Sequence, residues 1–505
     1  MAWLAALPIA TVLAAMLLLR WSAVRAGIAG ALVSAAVAPA FGSGDAATLA
    51  GVLAEAAFTS ATILWILWPA LALHEHQQRS GALDRMRQGL SSLSTRRGLQ
   101  VILVGWFGAL FFEGAAGFGT PVALAAPLLV GLGVPAVQAV VLALVGHAVG
   151  VSFGALGTPV LAQLSLVDGI DARALSGSIA LLHLAAGGVM AFAFHRLLGA
   201  AGPVGVDDRM RHSAPPAGGW MALAAAAFLL PSVAFAALVG PELATLGAAL
   251  LGGLLFAAAI RKAAPAAGDR TRDPALARAF WPYIVLVILV LLTRGIEPVA
   301  QALASWTLEW RWQDRFSGRF AVLAHPGTLL FLALLAGAAL QRVPPAQLRE
   351  PLAVAARRLL PVSAALLAML FLSRLMVHAG MIDAIRAAAV AGLGGAWPAV
   401  APSVGALGSF VTGSATASNV LFTTLQAQTA QSLGLPVAAI LAAQGFGAAI
   451  GNIVCPHNIV AGAATVGLAG REPEILRQTL LPCAAALAVG GVALWLVLGY
   501  MRVAP

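Results

Sequence analysis

Charge is scarce in this 505-residue sequence: only 10% of its residues are Asp, Glu, Lys or Arg, while 61% are hydrophobic. A water-soluble fold needs polar surface to cover its core, so this shortage, with a mean hydropathy of +0.93, excludes one. Cysteine is nearly absent. The two present, Cys455 and Cys483, stand in apolar context without metal-ligand spacing, so neither a disulfide framework nor a zinc site is indicated and no cofactor is expected. Aromatics make up 7%, and polar and apolar residues do not alternate, which argues against a transmembrane β-barrel. What remains is an all-α integral membrane protein.

Crossing about 30 Å of hydrocarbon takes about 20 apolar residues as a helix. Such stretches recur from Met1 to Met501, as in Ala47 to Leu73 and Gly219 to Gly240. We count roughly 12 to 14, some of them broken. The formal net charge of +10 could suggest a nucleic-acid partner, but the Lys and Arg residues sit in short connectors between spans. They read instead as anchors that follow the positive-inside rule. Arg20 and Arg25, the segment Arg79 to Arg97, Arg209 and Arg211, Arg261 to Arg278, and Arg342 to Arg358 are then cytoplasmic, and the turns Gly42 to Ala46 and Gly240 to Glu242 face outward. Arg311, Arg315 and Arg319 break this pattern, being basic on an outward segment. Met1 to Leu19 lacks a basic n-region and a cleavage site, and reads as a retained first helix.

Two distant regions share a pattern. Glu113-Gly114 is followed by the turn Leu132-Gly133-Val134-Pro135 and a small-residue helix ending Thr158-Pro159; Thr412-Gly413 is followed by Leu433-Gly434-Leu435-Pro436 and a similar helix ending Cys455-Pro456. A constant displacement of roughly 300 residues points to a duplicated half. We expect a first transmembrane repeat over 1–202, connecting helices and cytoplasmic loops over 203–280, and a second repeat over 281–505, with Pro203 to Ala217 and Pro265 to Pro274 as linker candidates. The repeats could be parallel or inverted. Inverted repeats are common among secondary transporters, with broken helices or re-entrant hairpins meeting near the midplane, and that is the expectation here.

The string Glu113-Gly114-Ala115-Ala116-Gly117-Phe118-Gly119-Thr120-Pro121 lies inside an apolar stretch, where three glycines and a proline are costly to an unbroken helix. A break would expose N–H groups at a helix N-terminus and attract an anion; the alternative is that small residues only let helices pack closely. Its counterpart, Ser409 to Asn419, crowds six hydroxyl or amide side chains, Ser409, Thr412, Ser414, Thr416, Ser418 and Asn419, into a membrane segment. These could bind a carboxylate and a hydroxyl, or could bond back to helix carbonyls. We expect both segments, Gly114 to Pro121 and Ser409 to Asn419, to be non-helical and to face each other.

Ionisable residues inside spans are functional candidates by default, here Glu55, Glu113, His147, Arg374 and His457. Glu113 adjoins the Gly-rich break, and an apolar setting favours the neutral form of a carboxylate, which suits a group that takes up and releases a proton. Glu55 either does the same or caps a helix. His147, which precedes Ser152-Phe153-Gly154, either contacts substrate or is a packed neutral imidazole. Arg374 either pairs with a carboxylate or snorkels. The substrate-binding candidates are thus Gly114, Gly117, Gly119, Thr120, His147, Ser152, Ser409, Thr412, Ser414, Thr416, Ser418, Asn419, His457 and Asn458, with Glu113 and Glu55 for the proton.

Ser80-Gly81-Ala82, Gly105-Trp106, the run Phe112 to Pro121, and Gly413-Ser414 followed by Ser418-Asn419 resemble the L-lactate permease family of bacteria. The resemblance runs through most of the chain and implies a multi-pass inner-membrane permease that imports lactate or glycolate by proton symport. Where the family more usually reads GSDTSSN, this chain has Ala415 in place of the Asp; where it reads GKMISPQ, this chain has Asn452 for the Lys and His457 for the Gln. Loss of an acid and a base together preserves charge balance, as if an ion pair had been removed as a unit. Other readings are a transporter of another small organic anion, an anion channel, and a membrane-embedded enzyme. An enzyme of that kind would ordinarily show paired Asp motifs or His and Glu clusters, whereas the few acids here are scattered.

Overall fold

The computed structural model describes residues 1–19, 21–91, 94, 96–117, 119–200, 217–263, 274–468 and 471–503. Arg20, Phe118, Arg209, Arg211 and nearly all of both linker candidates lie outside the described residues. Among the described residues, eleven helices are long and apolar enough to cross a membrane, or up to twelve if a pair bent by 91° at Ile296 counts as one span. Apolar stretches such as Pro121–Gly131 are too short to cross, which accounts for the larger number expected from sequence.

Helices α1 (Ala2–Leu17) and α2 (Ala23–Val37) lead to α3 (Ala46–Arg79), which Asp45 caps by accepting from Thr48 N at 2.8 Å. After the amphipathic α4 (Ala82–Ser91) come α5 (Arg97–Ala115) and α6 (Thr120–Gly131). Next are α7 (Ala136–His147), a 3₁₀ turn over Ala148–Phe153, and α8 (Gly154–Leu164). Helices α9 (Ala172–Ala200), α10 (Ala217–Leu238) and α11 (Pro241–Ala263) complete this part. The bent pair α12 (Trp281–Gly295) and α13 (Glu297–Ala304) precedes an antiparallel hairpin, β1 (Thr307–Trp312) and β2 (Phe316–Ala321). That hairpin carries Arg311, Arg315 and Arg319 and is the one departure from an all-helical chain among the described residues. Then follow α14 (Pro326–Leu340), α15 (Arg349–His378), α16 (Met381–Leu393), α17 (Trp397–Thr412), α18 (Ala415–Ser432), α19 (Val437–Gly451), α20 (Pro456–Thr465) and α21 (Glu472–Val503).

Helices α3 and α15 run antiparallel along most of their length. At one end His378 Nε2 lies 3.0 Å from Glu55 Oε2; towards the other, Trp68 Nε1 donates to Leu352 O at 3.1 Å, Arg358 meets Glu75 at 3.1 Å and Arg79 meets Glu350 at 3.7 Å. The second end carries Arg79 and Arg358, as the anchor pattern requires, whereas the first also holds the exception, the hairpin with Arg311, Arg315 and Arg319.

Two helical hairpins follow in the chain, and the second packs on α15 through α18. In α5–α6 the chain reverses at residues 116–119, where Gly117 (φ +60°) and Gly119 (φ +77°) take backbone that L side chains disfavour. The feet meet again where Arg97 donates to Gly133 O. In α17–α18 the reversal takes only Gly413 and Ser414, and the arms are tied by Trp397 Nε1 donating to Gln426 Oε1 at 2.9 Å and Gln426 Nε2 donating to Ala401 O at 3.0 Å. The first hairpin follows the Arg79 end of α3 and the second the His378 end of α15, so they enter from opposite ends of the bundle. Small residues permit the tight packing: Gly405 lies so close to Gln444 O that a methyl group would not fit.

The breaks are shorter than the sequence reading. Gly114 and Pro121 are helical, and so are Ser409 to Thr412 and Ala415 to Asn419. The hydroxyls explain the second case: Thr412 Oγ1 donates to Gly408 O at 2.8 Å and Ser418 Oγ to Gly405 O at 2.7 Å, so both are satisfied without unwinding.

Candidate functional site

The two reversals and the two interrupted helices behind them, α7–α8 and α19–α20, converge on a cavity holding about 360 Å³ of empty space, counting its open mouth. Its walls are Glu113, Gly117 and Gly119 from the first hairpin, Val151, Gly154 and Pro159 from the first interruption, Gly413 to Thr416 from the second hairpin, and Asn452 from the second interruption. No Lys or Arg is among them. Two helices, α6 and α18, start at this wall from the caps Gly119 and Ser414, so the positive ends of their dipoles lie at the space.

Glu113 is the one acid there. It is 5% exposed, and its carboxyl has neither a hydrogen bond nor an ion pair among the described residues. It lies over Gly154, whose missing side chain makes the room: a Cβ at Gly154 would fall on Glu113 Oε1. Gly154 itself has ordinary extended backbone, whereas the next three residues, Ala155 (φ +41°), Leu156 (φ +53°) and Gly157 (φ +78°), form a left-handed turn. Two non-glycine residues there cost about 1–2 kcal/mol each. The turn is held from both sides, with Ala155 against Gly117 and Gly157 against Pro241, and Thr158 Oγ1 donating to Ala155 O at 2.6 Å.

Of the residues expected from sequence, the cavity brings together Glu113, Gly117, Gly119, Ser414 and Thr416. Ser414 caps α18, its Oγ accepting from Ala417 N at 3.4 Å; Thr416, 3% exposed, leaves its hydroxyl without a protein partner among the described residues. Others stand one layer behind. Asn419 Nδ2 donates to Pro159 O at 2.9 Å, tying the second hairpin to the first interruption. Asn458 Nδ2 donates to Asn452 O at 3.2 Å and also to Asn452 Oδ1. His147 sits behind Asn452, with Nδ1 at 2.7 Å from Ala143 O and the ring hydrogen-bonded to the Asn452 side chain. Thr412 and Ser418 bond to helix carbonyls, and His457 is exposed with its Cβ beside Gly413. Ser152 Oγ donates to Gly445 O at 3.0 Å and meets His183 Nε2 at 2.8 Å, joining three helices away from the cavity. Ser409 is buried with its Oγ unpartnered, Gly114 packs on Leu246, and the side chain of Thr120 lies outside the described residues.

Glu55 lies elsewhere. Besides His378 it accepts from Ser317 N at 3.2 Å, so it fastens the β-hairpin to the α3–α15 pair. Arg374 donates to Ser165 O at 2.8 Å and does not line the cavity. The sequence reading missed Val151, Gly154, Pro159 and Gly413 as wall residues, although Thr158-Pro159 and Thr412-Gly413 stood out as repeat landmarks. Of the three departures from the family pattern, Ala415 and Asn452 line the cavity and His457 does not.

A model of the L-lactate permease family matches residues 1–500. The chain is 27% identical over 478 residues to a putative L-lactate permease of Haemophilus influenzae, covering 87% of each, and 28% identical over 472 residues to the glycolate permease GlcA of Escherichia coli, covering 83% of this chain and 81% of that one. Among solved structures, the YdaH transporter of Alcanivorax borkumensis matches with a TM-score of 0.51 at 18% identity, over 90% of this chain and 88% of that one, a likeness of fold alone. With apolar spans throughout and a family model that covers nearly its whole length, the chain belongs to the L-lactate permease family, transporters that cross the bacterial inner membrane many times.

Proposed function

We propose that this chain imports a small 2-hydroxymonocarboxylate, lactate or glycolate, together with a proton that Glu113 carries. The observation that bears most weight is the pairing of an unpartnered buried carboxyl with a cavity that has neutral donors and helix N-termini but no cationic side chain. Such a site suits a single negative charge. The permeases named above, for L-lactate and for glycolate, support the substrate class. The repeated order of elements, with hairpins entering from opposite ends, supports inverted repeats over 1–202 and 281–505 joined through 203–280, and alternating access around the shared cavity.

The test uses purified protein in proteoliposomes under an imposed pH gradient. Glu113→Gln keeps the shape and hydrogen bonding of the side chain but cannot carry a proton. The variant is expected to lose accumulation while retaining exchange of labelled lactate. Accumulation at the wild-type rate would move the coupling role elsewhere, with Glu55 next in line. Accumulation against a gradient also separates a transporter from a channel, and chemically unchanged lactate in the lumen separates it from an enzyme.

A further inference from the structure

We propose that Asn452 reads the substituent on C2 of the transported acid, donating to its carboxylate and accepting from its hydroxyl, while His147 and Asn458 act as positioning residues that hold the Asn452 amide in place. The inference rests on the monocarboxylate reading above and names the group in that site that tells a 2-hydroxy acid from its analogues. Asn452 lines the cavity and is only 8% exposed, so its amide is a built part of the wall. Both flanks are fixed. Asn458, 2% exposed, donates through Nδ2 to the Asn452 backbone oxygen and to Oδ1. On the other flank the imidazole of His147, 1% exposed, hydrogen-bonds the Asn452 side chain and places Nδ1 against Ala143 O.

A backbone carbonyl can only accept, so Nδ1 carries a ring proton, and Nε2 is the ring nitrogen left to meet the Asn452 side chain. The amide nitrogen of Asn452 then turns to His147 and its oxygen to Asn458. A carboxamide has two N–H groups and two acceptor lone pairs. One of each is used in the wall, which leaves one donor and one acceptor for the cavity, side by side and held in orientation. A 2-hydroxy acid matches this pair, because its carboxylate accepts and its hydroxyl donates. A 2-oxo acid has no proton to give, and an acid with an unsubstituted C2 leaves the second lone pair of the Asn452 oxygen unpaired. Thr416 also offers a free hydroxyl, but a hydroxyl rotates to suit either partner and so does not discriminate.

The test is competition for labelled lactate uptake in proteoliposomes by unlabelled lactate, pyruvate and propionate, three monoanions of equal chain length that differ at C2. Wild-type protein is expected to prefer lactate to propionate by roughly 10-fold to 100-fold, the range for leaving one buried polar group unpaired. Asn452→Ala is expected to bring the ratio to within about threefold of unity, mainly through weaker lactate competition. His147→Phe, which cannot accept a hydrogen bond, is expected to shrink the same ratio; a merely structural role would weaken all three acids alike. The ratio is read within one preparation, so lower yield of a variant cancels, and Asn452→Leu, close in volume, serves if Asn452→Ala does not fold. An unchanged ratio in the Asn452 variant, or a wild-type ratio near unity, overturns the inference and leaves the monocarboxylate reading standing. Wild-type protein that accumulates neither lactate nor glycolate overturns that reading, and this inference with it.

Discussion

Gly154→Ala separates what the cavity needs for folding from what it needs for transport. Gly154 has φ −62° and ψ 153°, extended backbone that any residue adopts, so the substitution meets no dihedral penalty. Its sole obstacle is Glu113: the new Cβ would fall on Oε1 and lie 3.0 Å from Cδ. These atoms end a flexible side chain and can yield by leaving their rotamer, at a cost of about 0.5–1.5 kcal/mol. Stability in detergent should therefore fall only slightly. Transport should fall much further, because displacing a reacting group by about 1 Å can cost roughly 100-fold where geometry controls the step. The assay combines thermal unfolding of the purified variant with uptake driven by a pH gradient, repeated in a Glu113→Ala background where nothing occupies the space. There the stability cost of Gly154→Ala should vanish, leaving an interaction energy equal to the clash. Wild-type uptake by Gly154→Ala, or an equal stability loss in both backgrounds, would refute the placement of the carboxyl over this glycine.

Two further outcomes follow from the same contacts. Gly157→Ala, three residues on, should be far more damaging to folding: φ +78° adds about 1–2 kcal/mol, and a Cβ 2.6 Å from Pro241 Cβ and 2.8 Å from its backbone carbon adds about 1–3 kcal/mol of overpacking that backbone cannot relieve; a melting temperature near wild type would contradict the left-handed turn. Hydrogen bonds from Thr48 N and Oγ1 hold the Asp45 carboxyl below its ordinary range, so its cap on α3 contributes at neutral pH and is lost as pH falls through that depressed value. Asp45→Ala should thus lower the melting temperature at pH 7 and flatten its acid dependence, while Asp45→Asn retains most of the neutral-pH stability; identical acid curves for wild type and Asp45→Ala would rule this out.

Hydropathy made the spans legible because lipid leaves few alternatives to a helix. The Gly-rich run after Glu113 revealed a break, since glycines and proline cost a helix whatever surrounds it. The second break was overestimated for a physical reason: Ser409 to Asn419 looked polar enough to unwind, yet Thr412 and Ser418 bond to carbonyls of α17, one of its own arm and one across the hairpin. Glu55 and Glu113 are both acids in apolar spans, and the sequence favours Glu113 for its place beside the Gly-rich break while leaving both as proton candidates. Tertiary structure settles their surroundings, giving Glu55 a histidine and a backbone N–H while leaving Glu113 unpaired at the cavity among the described residues. Gly154 and Asn452 could not be ranked from sequence, because their importance lies in contacts with residues about 40 and 300 positions away.

The joint presence of an acid and an anion site in one cavity sets how transport responds to pH. An ionised Glu113 repels a bound carboxylate, and a protonated one does not, so proton and substrate each favour binding of the other by the same factor. Entry of one monoanion with one proton moves no net charge, and the membrane potential does not oppose it; a dicarboxylate would need two protons or another cation, and the cavity wall supplies no second acid. Apparent affinity for lactate or glycolate should therefore tighten as pH falls, and this dependence should disappear in Glu113→Gln. Succinate, malate and citrate should compete poorly at neutral pH. Strong inhibition by the dicarboxylates with none by lactate or glycolate would leave only an organic-anion transporter of another specificity, and an affinity indifferent to pH in the wild type would place the proton on a group that does not face the substrate.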